Sequence, residues 1–372
     1  MSFQAVLSNL TPFTAEKFVL PDREGQEVVL VVVSATFQHL DGKVGLSLAE
    51  EQTSLETADL HHGPPHVASV SRESDIALIK PRVDVLVNGC AYAPRGKTAA
   101  SVRVAMEVGD VRKELLVSGD RAWRKGSLGG AATSPVPFSR MPIIYERAFG
   151  GVHAPPDDPH KHAVEARNFS GVGFRGVRSY DPNIDTDLPN VEYPDDRQNV
   201  RSDAPRPAGF GVVSRAWRPR VEFAGTYDAN WLDRQWPLLP ADFDPRHYQA
   251  APLDQQSSTL RGGEPVTLQN LTAEGLWNFR LPAIDVGARL IFDGRVEDLP
   301  LRLDTVMIET ETRRVVMTCR AAVRTRRNRG ALREIALGHV SAGWLRARRT
   351  GKRHVALSGG DGAALLRPSY SL

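Results

Sequence analysis

Four carboxylates lie close together between residues 228 and 244. They are Asp228, Asp233, Asp242 and Asp244. In most glycoside hydrolases, the catalytic pair consists of two carboxyl groups about 5–10 Å apart. Aspartates also cap turns, because their side chains accept hydrogen bonds from backbone amides two residues on, and Asp242 and Asp244 suit that role. The spacing leaves both alternatives open, a hydrolase acting on glycan or peptidoglycan and a set of turn caps.

A glycine pattern at residues 171–176, Gly-Val-Gly-Phe-Arg-Gly, matches G-x-G-x-x-G. A dinucleotide site requires a strand before these glycines and a helix after them, so that the helix N-terminus faces the pyrophosphate. Residues 165–170 do not resemble a strand, and residues 177–183 do not resemble a helix. The pattern therefore favours a glycine-rich turn, and we expect no nucleotide cofactor.

Histidines cluster at two places, His61-His62 with His66, and His160 with His162. A closed metal site needs three or four converging ligands and a supporting shell of hydrogen bonds. Both clusters stand in proline-rich surroundings without a nearby cysteine. We interpret them as solvated loops and expect no metal.

The C-terminal end is strongly basic, with thirteen Lys or Arg and one acid in residues 313–354. Binding of single-stranded nucleic acid would require aromatic residues among the cations, and only Trp344 lies there. We therefore expect no nucleic-acid partner, and keep nucleic-acid binding through residues 324–353 as a third alternative, which predicts a steep salt dependence. A solvated basic face and a docking surface for an acidic protein remain open. The surface would use Arg346, Arg348 and Arg349.

Residues 225–256 contain five aromatics, five aspartates and four prolines without a regular hydrophobic period. Tyr and Trp are enriched at protein interfaces because they offer large contact areas, and proline stiffens the backbone. We expect Trp236 and Phe243 to pack inward, and a smaller set of side chains to line a partner-binding groove. Alternatively, the whole stretch only joins two β lobes. The predicted groove residues are Tyr227, Asp228, Trp231, Asp254, Gln255 and Gln256.

Most regular structure indicated by the sequence is strand. Valine-rich residues 28–37 predict a buried strand, and residues 101–108 and 111–119 predict a hairpin through Gly109-Asp110. The predicted strands that remain are 84–89, 264–271, 276–282, 288–294, 301–310 and 313–321. Short strands separated by Gly and Pro predict a mainly β fold of antiparallel sandwich or barrel-like lobes. One short helix is predicted at 229–236.

The chain divides by composition into four parts. We predict an N-terminal β lobe (1–130), an irregular packed middle region (131–262), C-terminal strands that complete the sheets (263–330) and a basic segment (331–372). The N-terminus lacks the pattern of a signal peptide, and two cysteines in 372 residues fit a reducing compartment. The longest apolar run, 28–37, is too short to cross a bilayer. We expect a cytoplasmic protein that does not bind a membrane.

Several sequence blocks together resemble an accessory family of bacterial type VI secretion, long catalogued as a domain of unknown function and sometimes fused to pentapeptide repeats. They include GDRAWRKG (119–126), MPIIYERAFGG (141–151) and LPNVEYP (188–194). The other blocks span residues 74–97, 207–256 and 260–282. The resemblance implies a cytoplasmic adaptor or chaperone and not an enzyme. Members are encoded beside secreted toxins, and are thought to help load an effector onto the VgrG spike or its PAAR tip.

Overall fold

The computed structural model describes residues 5–40, 45–124, 131–154, 160, 162–176, 185–199, 203–325 and 330–349. The strands before residue 125 are β1 (Val6–Asn9), β2 (Thr14–Pro21), β3 (Glu27–Gln38), β4 (Ser47–Leu48), β5 (Leu60–His61), β6 (Val70–Arg72), β7 (Val83–Asn88), β8 (Cys90–Tyr92), β9 (Ser101–Val108), β10 (Val111–Ser118) and β11 (Ala122–Arg124). The middle strands are short: β12 (Ala131–Ala132), β13 (Arg140–Pro142), β14 (Phe149–Gly150), β15 (Val152–His153), β16 (Ala163–Val164), β17 (Val172–Gly173), β18 (Thr186–Asp187), β19 (Val191–Glu192) and β20 (Gln256–Ser257).

Longer strands return after residue 264: β21 (Pro265–Gln269), β22 (Leu276–Arg280), β23 (Gly287–Phe292), β24 (Arg295–Pro300), β25 (Arg302–Glu309), β26 (Arg314–Arg324) and β27 (Leu332–Leu337). The α-helices are α1 (Ala229–Arg234) and α2 (Ala342–Arg349). Short 3-10 helices include Arg220–Ala224, Pro245–Tyr248 and Leu253–Gln255. The mainly β prediction is confirmed. The predicted helix at 229–236 is also present, although it ends two residues earlier.

Three large sheets organise the strands. The first has the order β2-β3-β26-β25-β7-β20, with β4 beside β3. The second has the order β19-β10-β9-β21-β22, and the third β1-β27-β23-β24. In the first two sheets, strands from residues 1–130 pair with strands from residues 263–330. The N-terminal and C-terminal strands therefore build common sheets. In the third sheet, β27 from the segment after residue 330 pairs with β1 and β23.

β3 is an interior strand of the first sheet, and its residues are largely apolar on both faces. Residues 28–37 are all buried. One face of the strand joins the main core, which runs continuously through all three large sheets. The other face carries Thr36, whose backbone exchanges hydrogen bonds of 2.9 and 3.0 Å with the Gln52 side-chain amide. The strand is buried on both faces.

The predicted hairpin forms as β9 with β10, and the predicted strands at 301–310 and 313–321 pair with each other as β25 and β26. Gly109 supports the first turn with a φ of 59°. Some strand pairs are parallel: β7 pairs with β25, β1 with β27 and β14 with β17. Parallel neighbours need a long connection, and more than two hundred residues separate β7 from β25. No helix of the described residues is long and apolar enough to cross a membrane.

Candidate functional site

A compact projection is formed by residues 225–242, which we call the aromatic knob. Its two ends meet because Thr226 donates its backbone N–H and its hydroxyl to the Asp242 carboxylate, at 3.0 and 2.8 Å. Gly225 begins the projection with a φ of 85°. A Cβ at this position would lie 2.7 Å from Pro240 Cβ and 2.8 Å from Asp242 Oδ1. The closure therefore requires glycine.

Helix α1 forms within the knob because its ends are held by side chains. Asp228 is the N-cap residue and accepts the Trp231 N–H at 2.8 Å. The Trp231 indole N–H donates to Leu238 O at 2.9 Å, and the Trp231 ring lies edge-on to Tyr227 at 4.7 Å between centroids. Gln235 then donates to the backbone carbonyl of Arg23 at 2.8 Å. These bonds connect the knob to the turn between β2 and β3.

Three large side chains of the knob point into solvent. Trp236 is 64% exposed, Leu232 60% and Tyr227 54%. The expectation that Trp236 packs inward is wrong. The tryptophan that packs against the knob's own backbone is Trp231, which is only partly exposed. Phe243 is partly buried, as expected, against His247 and Tyr248. An exposed apolar group of this size on an anchored segment is typical of a protein-contact surface.

The base of the knob is fixed by a buried arginine. Arg220 donates to Val213 O and to the His247 carbonyl oxygen, and its guanidinium lies 2.7 Å from Glu73. The guanidinium therefore joins the segment before the knob to the 3-10 helix after it. A buried Arg that bonds carbonyls and a carboxylate at once holds its neighbours in one arrangement.

A second buried charge positions residues 249–251. The Asp84 carboxylate accepts hydrogen bonds from Gln249 Nε2 at 2.7 Å, Ala250 N at 2.8 Å and Ala251 N at 3.1 Å. Lys80 Nζ lies 2.8 Å away and neutralises the carboxylate. Asp84 belongs to β7, which lies between β25 and β20 in the first sheet, so this network fastens the irregular segment directly to the sheet.

The Asp254–Gln256 turn is tied to the framework, chiefly through Gln255. Gln255 is fully buried and donates to Val85 O at 2.7 Å and Phe210 O at 2.9 Å. Gln256 donates to Ala251 O at 2.8 Å. The expectation that Gln255 contacts a partner is therefore wrong. The sequence alone gives no signal that Gln255 is buried. Its burial depends on β7 and Phe210, which are far from it along the chain.

Lys113 is the buried cation beside this turn. Its Nζ donates to Asp254 Oδ1 at 3.0 Å and Gln255 Oε1 at 2.8 Å. Burial lowers the pKa of Lys113 to about 8, although Asp254 opposes the shift. Tyr193 donates its hydroxyl to Asp254 at 2.9 Å, and burial raises the pKa of this phenol, with a further contribution from Asp254. Asp254 is thus held by two partners from distant segments.

The four carboxylates of residues 228–244 do not show the features of a hydrolytic pair. A general acid needs a pKa raised by burial or by a second carboxylate. The hydrogen bonds from the Thr226 backbone and hydroxyl lower the pKa of Asp242. Bonds from Arg246 to Asp244 lower the pKa of that carboxyl. Asp228 and Asp233 are exposed.

Two cavities lie away from these carboxylates. The larger, of about 210 Å³, is lined by the glycine-rich segments 150–151 and 171–173 with residues 185–187. The smaller, of about 30 Å³, lies beside Lys80 and Arg320. Gly173 pairs with Gly150 in a parallel β bridge, and no helix follows within the described residues 174–176. The described part of the chain holds no group of three His, Cys, Asp or Glu side chains arranged for a metal ion.

The basic segment packs on the third sheet through α2. Trp344 is buried against Ala336 and Val340, and Arg348 lies over its ring while pairing with Glu334 at 3.0 Å. Arg346 is exposed. The side chain of Arg349, residues 326–329 and residues 350–372 lie outside the described part of the chain. Of the three predicted arginines, Arg348 is therefore held partly within the chain.

Residues 24–320 match the model of a protein family. The family is described as an uncharacterized protein conserved in bacteria (DUF2169). The chain belongs to this family. No curated protein and no solved structure matches the chain. The aromatic knob, Asp84 and Lys113 all lie within the DUF2169 region, whereas β27 and α2 lie beyond its end.

Proposed function

We propose that this DUF2169 protein is a non-catalytic cytoplasmic adaptor of type VI secretion. It binds a secreted effector and helps to load it onto the VgrG spike or its PAAR tip. The aromatic knob is the contact surface. The sequence blocks that resemble the type VI accessory family support the partner class. The observation that carries the proposed contact is the exposure of Trp236, Leu232 and Tyr227 on a segment whose ends are locked.

An adaptor must bind a partner and release it without breaking a covalent bond. Large rigid side chains suit this task, because they lose little conformational entropy when they become buried. The knob presents such side chains on a base that Arg220, Asp84 and Asp242 hold in place. The surface is therefore organised before the partner arrives, which reduces the free energy lost on ordering.

The first test is co-purification of the tagged chain with the toxin and with the spike protein encoded beside its gene, each expressed in turn. The double variant Leu232→Ala/Trp236→Ala should weaken the complex at least about thirtyfold, since two central anchors each contribute roughly 1–2 kcal/mol. Both side chains are exposed, so the melting temperature should not change.

The matched control is Leu276→Ala, which removes a side chain that is 55% exposed on β22, outside the knob. This variant should bind like the wild type. Absence of any complex with either protein, or equal binding by the double variant, would contradict the proposed function. Loss of effector delivery in cells that carry the double variant would extend the result to secretion itself.

A further inference from the structure

The knob carries three carboxylates that no cation neutralises within the described residues. Asp228 caps α1 and Asp242 accepts from Thr226, so both are held by uncharged donors. Asp233 follows the exposed Leu232 and is itself exposed. The knob contains one cation, Arg234, so its formal charge is negative.

The acids that flank the knob are arranged differently. Glu222 pairs with Arg218 at 3.1 Å, and Asp244 pairs with Arg246 at 2.6 Å. Glu73, beneath the knob, pairs with Arg220 at 2.7 Å. Arginine is thus available throughout this region, yet the carboxylates next to the exposed aromatic side chains remain without it. Uncompensated charge on the same segment as exposed apolar side chains is the pattern of an interface whose opposite charges lie on the partner.

We infer that the partner receives the knob in an apolar pocket rimmed by lysine or arginine side chains. This inference rests on the proposed function and adds the chemistry of the partner. Trp236 and Leu232 fill the pocket, and Asp233 and Asp228 face the basic rim. The attraction between these carboxylates and the basic rim accelerates the encounter, whereas burial of the apolar side chains slows dissociation.

The test measures binding kinetics of the purified spike protein and, separately, of the purified toxin encoded beside the gene, at about 50 and about 500 mM NaCl. At low salt, Asp233→Lys should weaken affinity about tenfold, mainly through a slower association rate. At high salt the difference should shrink to about twofold, because the charges are screened. Asp233→Asn should give an intermediate loss. Glu50→Lys, at an exposed acid outside the knob, is the charge-matched control and should have little effect.

The outcomes separate this inference from the proposed function. If Leu232→Ala/Trp236→Ala abolishes binding while Asp233→Lys binds as well as or better than the wild type, the knob docks but the basic rim is wrong. If neither variant changes binding, the knob is not the contact surface and the proposed function fails with the inference. If the knob variants instead abolish self-association in sedimentation experiments, a second copy of this chain is the occupant, and the inference is overturned.

Discussion

Lys113 and Asp254 form an ion pair of 3.0 Å in which the ammonium is buried and the carboxylate is partly exposed. The two side chains are 2% and 39% exposed. Lys113 belongs to the second sheet and Asp254 to the irregular segment after the knob. The pair therefore joins the sheet to the segment that follows the aromatic knob, and burial of its cation has a measurable consequence.

The stability contributed by Lys113 should rise with pH. Burial lowers its pKa from 10.5 to about 8, so between these values the folded state binds fewer protons than the unfolded state. Burial of the charged ammonium destabilises the folded state in full below the folded pKa, and this penalty has disappeared above the unfolded pKa. From about pH 7 to about pH 9.5, the wild type should gain about 2 kcal/mol relative to Lys113→Met. Urea unfolding of both proteins at several pH values measures this difference in unfolding free energy. A difference that does not change with pH would show that the pKa of Lys113 is not lowered.

Removal of the Asp84 carboxylate should be strongly destabilising. Asp84→Ala leaves Lys80 buried without its counter-ion and leaves three donors around residues 249–251 without an acceptor. Loss of one partner of a buried ion pair costs about 3–5 kcal/mol. Denaturant unfolding at neutral pH gives the value.

The control for this substitution is Asp298→Ala, which removes an exposed partner of Arg289 at 3.0 Å. Exposed pairs contribute below about 1 kcal/mol, so this variant should unfold close to the wild type. Equal effects of the two substitutions would show that Asp84 does not anchor the segment.

Gly225→Ala should loosen the knob. The new Cβ would meet Pro240 and Asp242 at 2.7 and 2.8 Å, in addition to the penalty of a φ of 85°. Gly294→Ala is the matched control, because Gly294 has the same φ and nothing lies within 4 Å of its Cβ position. Both variants lose about 1 kcal/mol from the backbone conformation, and only Gly225→Ala adds the clash.

Hydrogen exchange of the knob amides separates the two glycine variants. Residues 226–240 should lose protection in Gly225→Ala and keep it in Gly294→Ala. Unchanged exchange in the first variant would mean that the closure between Thr226 and Asp242 tolerates a side chain at residue 225.

The local chemistry of the sequence determined the strands and the short turns. Runs of β-branched residues favour extended backbone wherever they fall, so residues 28–37, 101–108 and 314–321 could be recognised without knowledge of their neighbours. Weaker strands such as β2, β24 and β27 were missed, because alternation with charged residues makes them resemble loops. Their stability comes from the strands beside them.

Only the tertiary structure decided which polar side chains are buried. Asp84 and Gln255 become structural because β7 runs parallel to β25 and lies next to β20, and this pairing brings together residues far apart in sequence. The same closure turned Trp231 against the knob's own backbone and left Trp236 in solvent. Residue type fixes what a side chain can bond, whereas burial depends on long-range pairing. The aromatic composition of residues 225–256 could therefore be read from the sequence, but the surface it forms could not.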